Sequence, residues 1–270
     1  MKRIAIHSAP RSGSSWLGNL FDAHPEVLYK FQPLFSYELK GMLHESSNED
    51  SINTFFHKLE NTSSVFLDQV EEKEKKIVPC FDKIDPKAIA YKEVRYHHVI
   101  RNLITKDKSI KLIALVRDPR SVLYSWKSTP REFDKGEGWD FEEEWRFANK
   151  KNLGRKEEFY GYEKWKELAI LFNELERTFP NQVKIIRYTE LLEDTLGVMK
   201  DLMKFCDLNL AKQQVKFIKL SQEKHNQDPY AVYKKRSNDD AWKTNLSSKI
   251  SSQIEDELKH TELEKYLDEF

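Results

Sequence analysis

The chain has little cysteine, no surplus of either charge and no long apolar run, and each shortage removes a class of protein. Of 270 residues only 2 are cysteines, Cys80 and Cys206. They stand far apart and outside any Cys-x-x-Cys or Cys/His ligand spacing, which argues against structural zinc and for a reducing, cytoplasmic location. Lys plus Arg and Asp plus Glu both count 45. No global field therefore draws in nucleic acid or a membrane surface, and any anion site has to be local. No stretch approaches the roughly 18 uninterrupted apolar residues of a membrane span. Strand-like sequence begins at Arg3 with no apolar leader before it, so a soluble, unanchored protein is expected. Internal repeats and long low-complexity tracts are missing as well. None of the 8 histidines sits in a ligand set, and the adjacent His97 and His98 would point apart on a helix, so no metal is expected.

What remains is a core-forming chain, 39% hydrophobic, in which strand-like and helix-like patterns alternate. Buried strands are expected from Arg3, at Val27–Tyr29, at Ala88–Val94, at Ile110–Val116 and at Val183–Arg187. Helices are expected at Tyr96–Thr105, Phe141–Asn149 and Tyr162–Phe179, the last with Trp165, Leu168, Ala169, Phe172 and Leu175 on one face. Between Ser128 and Trp139 lies a loop broken by Pro130, Gly136 and Gly138. The expectation is one α/β, P-loop-like domain over residues 1–270, its central parallel sheet of four to five strands flanked by helices. A helical insertion falls at about 36–70, and the part after about 195 is mainly helical.

The first strand breaks at Pro10, turns through Arg11, Ser12 and Gly13, and passes into helical periodicity at Trp16, Leu17 and Leu20. Free N–H groups at a helix start, the positive end of its dipole, the hydroxyls of Ser12, Ser14 and Ser15 and the fixed charge of Arg11 make an anion cradle. Phosphate is the expected guest. A nucleoside triphosphatase would need Lys and then Ser/Thr after a longer glycine-spaced loop, whereas Ser14 follows Gly13 directly. A plain turn with Ser14 as N-cap is the other reading of this loop taken alone.

A second constellation opens where the Ile110–Val116 strand ends. Asp118 suits an N-cap and Pro119 the first helical position, so Arg117 stands at the carboxyl end of a buried strand, the ligand edge of an open α/β sheet. Ser125 lies two turns along the following helix, on the face of Ser121, where a hydroxyl could point back to an anion held by Arg117. An ion pair with Asp118 or Glu190 is the alternative role for Arg117. Arg120 reads as a solvent-facing or salt-bridged first-turn residue.

Two strand-end phosphate sites in this order resemble the sulfotransferases that use 3′-phosphoadenosine 5′-phosphosulfate (PAPS). The resemblance implies that Pro10, Arg11, Ser12, Gly13, Ser14, Ser15 and Trp16 hold the 5′-phosphosulfate, and that Arg117 and Ser125 hold the 3′-phosphate. Asp22-Ala23-His24-Pro25 is similar to the end of the first helix in carbohydrate and tyrosylprotein members, Lys92-Glu93-Val94-Arg95 to a Lys-x-x-Arg stretch of the carbohydrate branch, and Arg187-Tyr188-Thr189-Glu190-Leu191 to the family's Tyr-Glu-Asp-Leu, which brings Tyr188 into the cofactor site. Lys235-Arg236-Ser237, upstream of Trp242, is similar to the basic 3′-phosphate loop but departs from its Arg-Lys-Gly form. Arg11, where hormone-type members carry Lys, also points to the carbohydrate and tyrosylprotein branch. The implied reaction moves a sulfuryl group to an acceptor hydroxyl, on a carbohydrate or glycolipid, with Arg11 stabilising charge on the departing oxygen. No metal and no nucleic acid enter it.

The proton acceptor is where the pattern breaks. Tyrosylprotein and some carbohydrate members carry a Glu after the second strand, and the matching residue here is Gln32, whose amide cannot act as a base near neutral pH. Gln32 is then left to orient the acceptor, and Glu93, at a strand end, is the first choice for the base, with Glu38 and His97 behind it. Two rival readings stay open: a phosphoryl-transfer kinase, and a nucleotide-binding scaffold that has lost catalysis.

Overall fold

Five short apolar runs, each bounded by turn-forming residues, form the strands of the computed structural model, which describes residues 1–134, 136–228, 230–233 and 238–268. They are β1 (Lys2–Ser8), β2 (Val27–Phe31), β3 (Ala88–Glu93), β4 (Ile110–Val116) and β5 (Val183–Arg187). All neighbours pair in parallel in the order β2-β3-β1-β4-β5. Parallel strands need crossovers, and a sheet covered on both faces by those crossovers buries both sets of alternating side chains. Ile4, Ile6, Ala90 and Ile113 accordingly join one core cluster, while Ala5, Tyr91, Leu112 and Ala114 join the other. The chain goes from β1 to β2 on one side and later returns to β4 on the other side of β1. The carboxyl ends of β1, β3 and β4 therefore border the crevice where such sheets take ligands.

The β1–β2 crossover contains helix α1 (Ser14–Asp22), which buries Leu17, Leu20 and Phe21. After β2 a helix at Glu49–Asn61 starts where the Asn48 side chain accepts the Ser51 N–H at 2.9 Å. Its Ile52, Phe55, Phe56 and Leu59 are all 0% exposed, and Phe55 meets Tyr91 of β3 edge-on at 5.8 Å. At about 1.5–3 kcal/mol for each large apolar side chain, that burial fixes this segment to the sheet.

Three local expectations change. The strand at Val27 runs on to Phe31, because Phe31 donates its N–H to the Leu67 carbonyl and Gln32 to that of Lys92. The stretch Phe141–Asn149 is two single turns, Phe141–Glu144 and Asn149–Asn152, parted by Ala148 at φ 50°. The α1 N-cap is Gly13 at φ 90°, not Ser14.

Gly18 of α1 faces the Tyr29 hydroxyl, which would lie 2.2 Å from an added Cβ. Gly18→Ala is expected to destabilise the protein by about 1–3 kcal/mol despite the better helix former, because the buried ring has nowhere to move. Denaturant midpoints of the two proteins check this.

Candidate active site at the sheet edge

The loop from Ala9 to Gly13 turns with two left-handed residues, Arg11 at φ 68° and Gly13 at φ 90°. A Cβ on Gly13 would sit 2.5 Å from the Tyr188 ring, so only glycine lets the loop and that ring pack together. The strain at Arg11 is held by its surroundings: its carbonyl accepts from Arg117 Nη1 at 2.7 Å, and its Nε donates to Ser125 Oγ at 3.3 Å. The N–H groups of Ser12, Gly13, Ser14 and Ser15 have no acceptor among the described residues. With the start of α1 behind them they form an anion cradle.

Beside the cradle lies a cavity of about 240 Å³. Of the residues expected at the site, Pro10, Arg11, Gly13, Ser14, Ser15, Trp16, Gln32, Arg117, Ser125 and Tyr188 line it. Ser12 does not: its side chain is buried and its Oγ has no partner among the described residues, which leaves its backbone N–H as its contribution. Lys235 and Arg236 lie outside the described residues. Arg117 is paired, though with neither Asp118 nor Glu190: Nε donates to Asp239 Oδ2 at 2.6 Å and Nη2 to Oδ1, and the guanidinium carbon stands 4.7 Å from the Tyr188 ring centroid. Arg120 is salt-bridged to Asp118 and Glu255 and packs over Trp242.

Glu93 lies elsewhere. Successive strand residues face opposite ways, so Lys92 enters the cavity and Glu93 turns to the far face of the sheet. There its Oε1 accepts the Leu34 N–H at 2.7 Å, and burial pushes its pKa up to about 8. Neither alternative base reaches the cavity either. Glu38 is exposed, and His97 is buried against His7, Nδ1 to Nδ1 at 3.0 Å, with both rings held neutral first by burial.

Lys92, Glu132 and Tyr160 are among the lining residues that escaped the sequence reading. Lys92 reaches within 4.4 Å of the Phe31 ring centroid, and burial lowers its ammonium pKa to about 7. A polar residue ending an apolar strand was the visible sign of it. Glu132 and Tyr160 come from irregular segments with no periodicity, so nothing in the sequence marked them.

The family model for the sulfotransferase domain matches residues 1–269. The chain belongs to the sulfotransferase family. Its sulfuryl donor is PAPS, and the cradle fits that anion on its own chemistry: four unsatisfied N–H groups beside Arg11, Lys92 and Arg117. The fold is also that of solved sulfotransferases. Mouse sulfotransferase SULT7A1, complexed with PAP, superposes at TM-score 0.55 with 15% identity over 98% of this chain and 86% of that one. The sulfotransferase domain of the Synechococcus PCC 7002 olefin synthase gives 0.51 and 15% over 96% and 94%. The sulfotransferase domain of the curacin biosynthetic pathway gives 0.50 and 18% over 95% and 96%. No curated protein matches the sequence. Among the described residues no helix is long and apolar enough to cross a membrane.

The buried Glu93 yields a stability prediction. The folded state keeps this proton until about pH 8, against an ordinary 4.5, so the stabilisation is complete at acid pH and is lost as pH rises through that window. Glu93→Gln, which keeps the acceptor for Leu34, should raise the melting temperature relative to wild type above about pH 8 and lose that advantage at acid pH. Parallel melts across the range check it; a pH-independent difference would contradict the assignment.

Proposed function

We propose that this sulfotransferase moves the sulfuryl group of PAPS to an acceptor hydroxyl on a carbohydrate or glycolipid, in the manner of the carbohydrate and tyrosylprotein branch, in the cytoplasm. The reading is carried by one observation: the unsatisfied N–H groups and three cationic side chains converge on one cavity at the crevice of the sheet. Acceptor oxygen bonds to sulfur as the bond from sulfur to the bridging oxygen of the 5′-phosphate breaks, and negative charge collects on that oxygen. Arg11 and Lys92 are the cations suited to stabilise it. Burial lowers the pKa of both, but an arginine starts so high that it stays charged, and an anionic donor favours the protonated form of Lys92.

Arg117 and Ser125 are assigned to the 3′-phosphate, with Lys235 and Arg236 in support. Ser125 stands between the two phosphate sites, since its Oγ already accepts from Arg11. Gln32, at the mouth of β2 with its Oε1 buried and unpartnered, is assigned to the acceptor. Phe31 on the cavity wall continues outward through Phe66 to Phe35, at ring separations of 5.5 and 5.9 Å. Phe66 and Phe35 are 37% and 42% exposed, a shelf that suits the apolar side of an amphipathic glycoside.

Arg11→Ala is expected to lower kcat by more than it weakens binding of 3′-phosphoadenosine 5′-phosphate, and Arg11→Lys to keep part of the rate, because the charge matters most as the bridging oxygen becomes anionic. Transfer from labelled PAPS, measured beside nucleotide titrations, tests this. A variant with unchanged kcat and only a raised KM for PAPS would show that Arg11 merely binds.

The 3′-phosphate assignment has its own test. Asp239→Asn leaves Arg117 in place but removes the charge opposing it, and should tighten binding of 3′-phosphoadenosine 5′-phosphate while leaving adenosine 5′-phosphosulfate, which lacks that phosphate, unchanged. Equal effects on both nucleotides would move the 3′-phosphate elsewhere.

A further inference from the structure

A neutral hydroxyl attacking sulfur has to lose its proton, and none of the three residues expected to take it stands in the cavity. Of the described residues that line the cavity, a single one bears a carboxylate, Glu132, and none is a histidine. Tyr160 and Tyr230 also line it, but burial raises both phenol pKa values, which makes them donors rather than bases. Lys92 is an unsuitable base for the reason given above, that the anionic donor keeps it charged.

Glu132 is built in, not dangling. Its backbone N–H reaches the Thr129 carbonyl at 3.0 Å, and its carbonyl accepts from Trp126 Nε1 at 2.9 Å. Trp126 is 1% exposed, so the loop is pinned to the core at this residue. The Tyr160 hydroxyl donates to Oε2, and Lys151 Nζ lies 3.3 Å from the same oxygen. Tyr160 is itself held by its backbone: Asn152 accepts its N–H at 3.1 Å and donates to its carbonyl at 2.9 Å. Both side-chain contacts fall on Oε2, and among the described residues none falls on Oε1. A carboxylate on the cavity wall that is anchored through one oxygen has the form of a positioned proton acceptor.

Resting on the sulfuryl-transfer reading, we propose that Glu132 is the general base, a role displaced in this chain from the end of β2 to the loop after the Pro119–Lys127 helix. The acceptor O–H gives its proton to Oε1 as the oxygen–sulfur bond forms, and the electron pair of the breaking sulfur–oxygen bond leaves on the nucleotide phosphate beside Arg11. Tyr160 is a positioning residue. The charged and titratable groups that face Glu132 are Arg11 from the loop, Lys92 and Arg95 from the end of β3, Lys151, and the Tyr160 and Tyr230 hydroxyls.

The experiment compares two acceptors, octyl glucoside, whose hydroxyls hold their protons tightly, and 4-nitrophenol, which gives its proton up without help. Glu132→Gln keeps the shape and the Tyr160 contact. With octyl glucoside it should lower kcat by roughly 10²- to 10⁴-fold and abolish the acid limb of the pH profile. With 4-nitrophenol the loss should shrink to under about tenfold, and binding of 3′-phosphoadenosine 5′-phosphate should match wild type, which also shows that the variant is folded. Tyr160→Phe should move the acid limb to higher pH, since it removes a hydrogen bond to the ionised carboxylate. Equal losses with both acceptors, or a retained acid limb in Glu132→Gln, would overturn the assignment and leave Glu132 a structural residue. Wild-type protein that binds the nucleotide yet transfers to neither acceptor would overturn the sulfuryl-transfer reading beneath it instead.

Discussion

The bond from Arg117 Nη1 to the carbonyl of Arg11 ties two separate strand ends into one site. Without it, the left-handed Arg11 would relax at a gain of order 1–3 kcal/mol, and the N–H groups that follow would lose their common aim. The same guanidinium is held by Asp239 and packed on Tyr188, whose ring in turn fits only against a glycine at position 13. Cradle, clamp and aromatic wall are thus one mechanical unit. A substitution at any of them reaches the others without touching ligand, which makes the site stiff.

Most of the frame could be read from the sequence because it rests on short-range rules. Five apolar runs became five strands, since a parallel sheet buried on both faces tolerates little else, and Asp118-Pro119 marks a helix start in sequence as in structure. The turn from β1 into α1 was legible for the same reason: strand, break and helix follow one another without a gap. What failed was a matter of facing. Lys92 and Glu93 are neighbours at one strand end, and the sequence offered no ground for choosing between them; the pleat sends one to the cavity and the other to the far side. Glu132 was out of reach for a different reason, because its position depends on Trp126 and Tyr160, contacts made by tertiary packing rather than by periodicity.

The far face of the sheet is more polar than its strand sequences suggest. His7, Tyr91, His97 and Glu93 are all 0% exposed there, with His7 bridging to His97 and approaching Tyr91 at 3.4 Å. Such a group is stable only while its members stay uncharged, and burial enforces this by pulling the histidines down and the glutamate up. Acid charges the histidines and alkali charges the glutamate, so the two opposed titrations confine the folded state to the middle of the pH scale. Ionisable groups at a strand end need not be reacting groups.

The carboxylate of Asp239 has a kinetic meaning once Arg117 is given the 3′-phosphate. A nucleotide arriving there meets a cation that already has a buried partner, and each phosphate contact is formed against a carboxylate left with weaker compensation. The penalty falls on donor and spent nucleotide alike, because both carry that phosphate. An enzyme that discards its product nucleotide on every cycle gains from this: looser holding of the handle shortens the wait before the next donor enters, while the chemistry at Arg11 is left as it was.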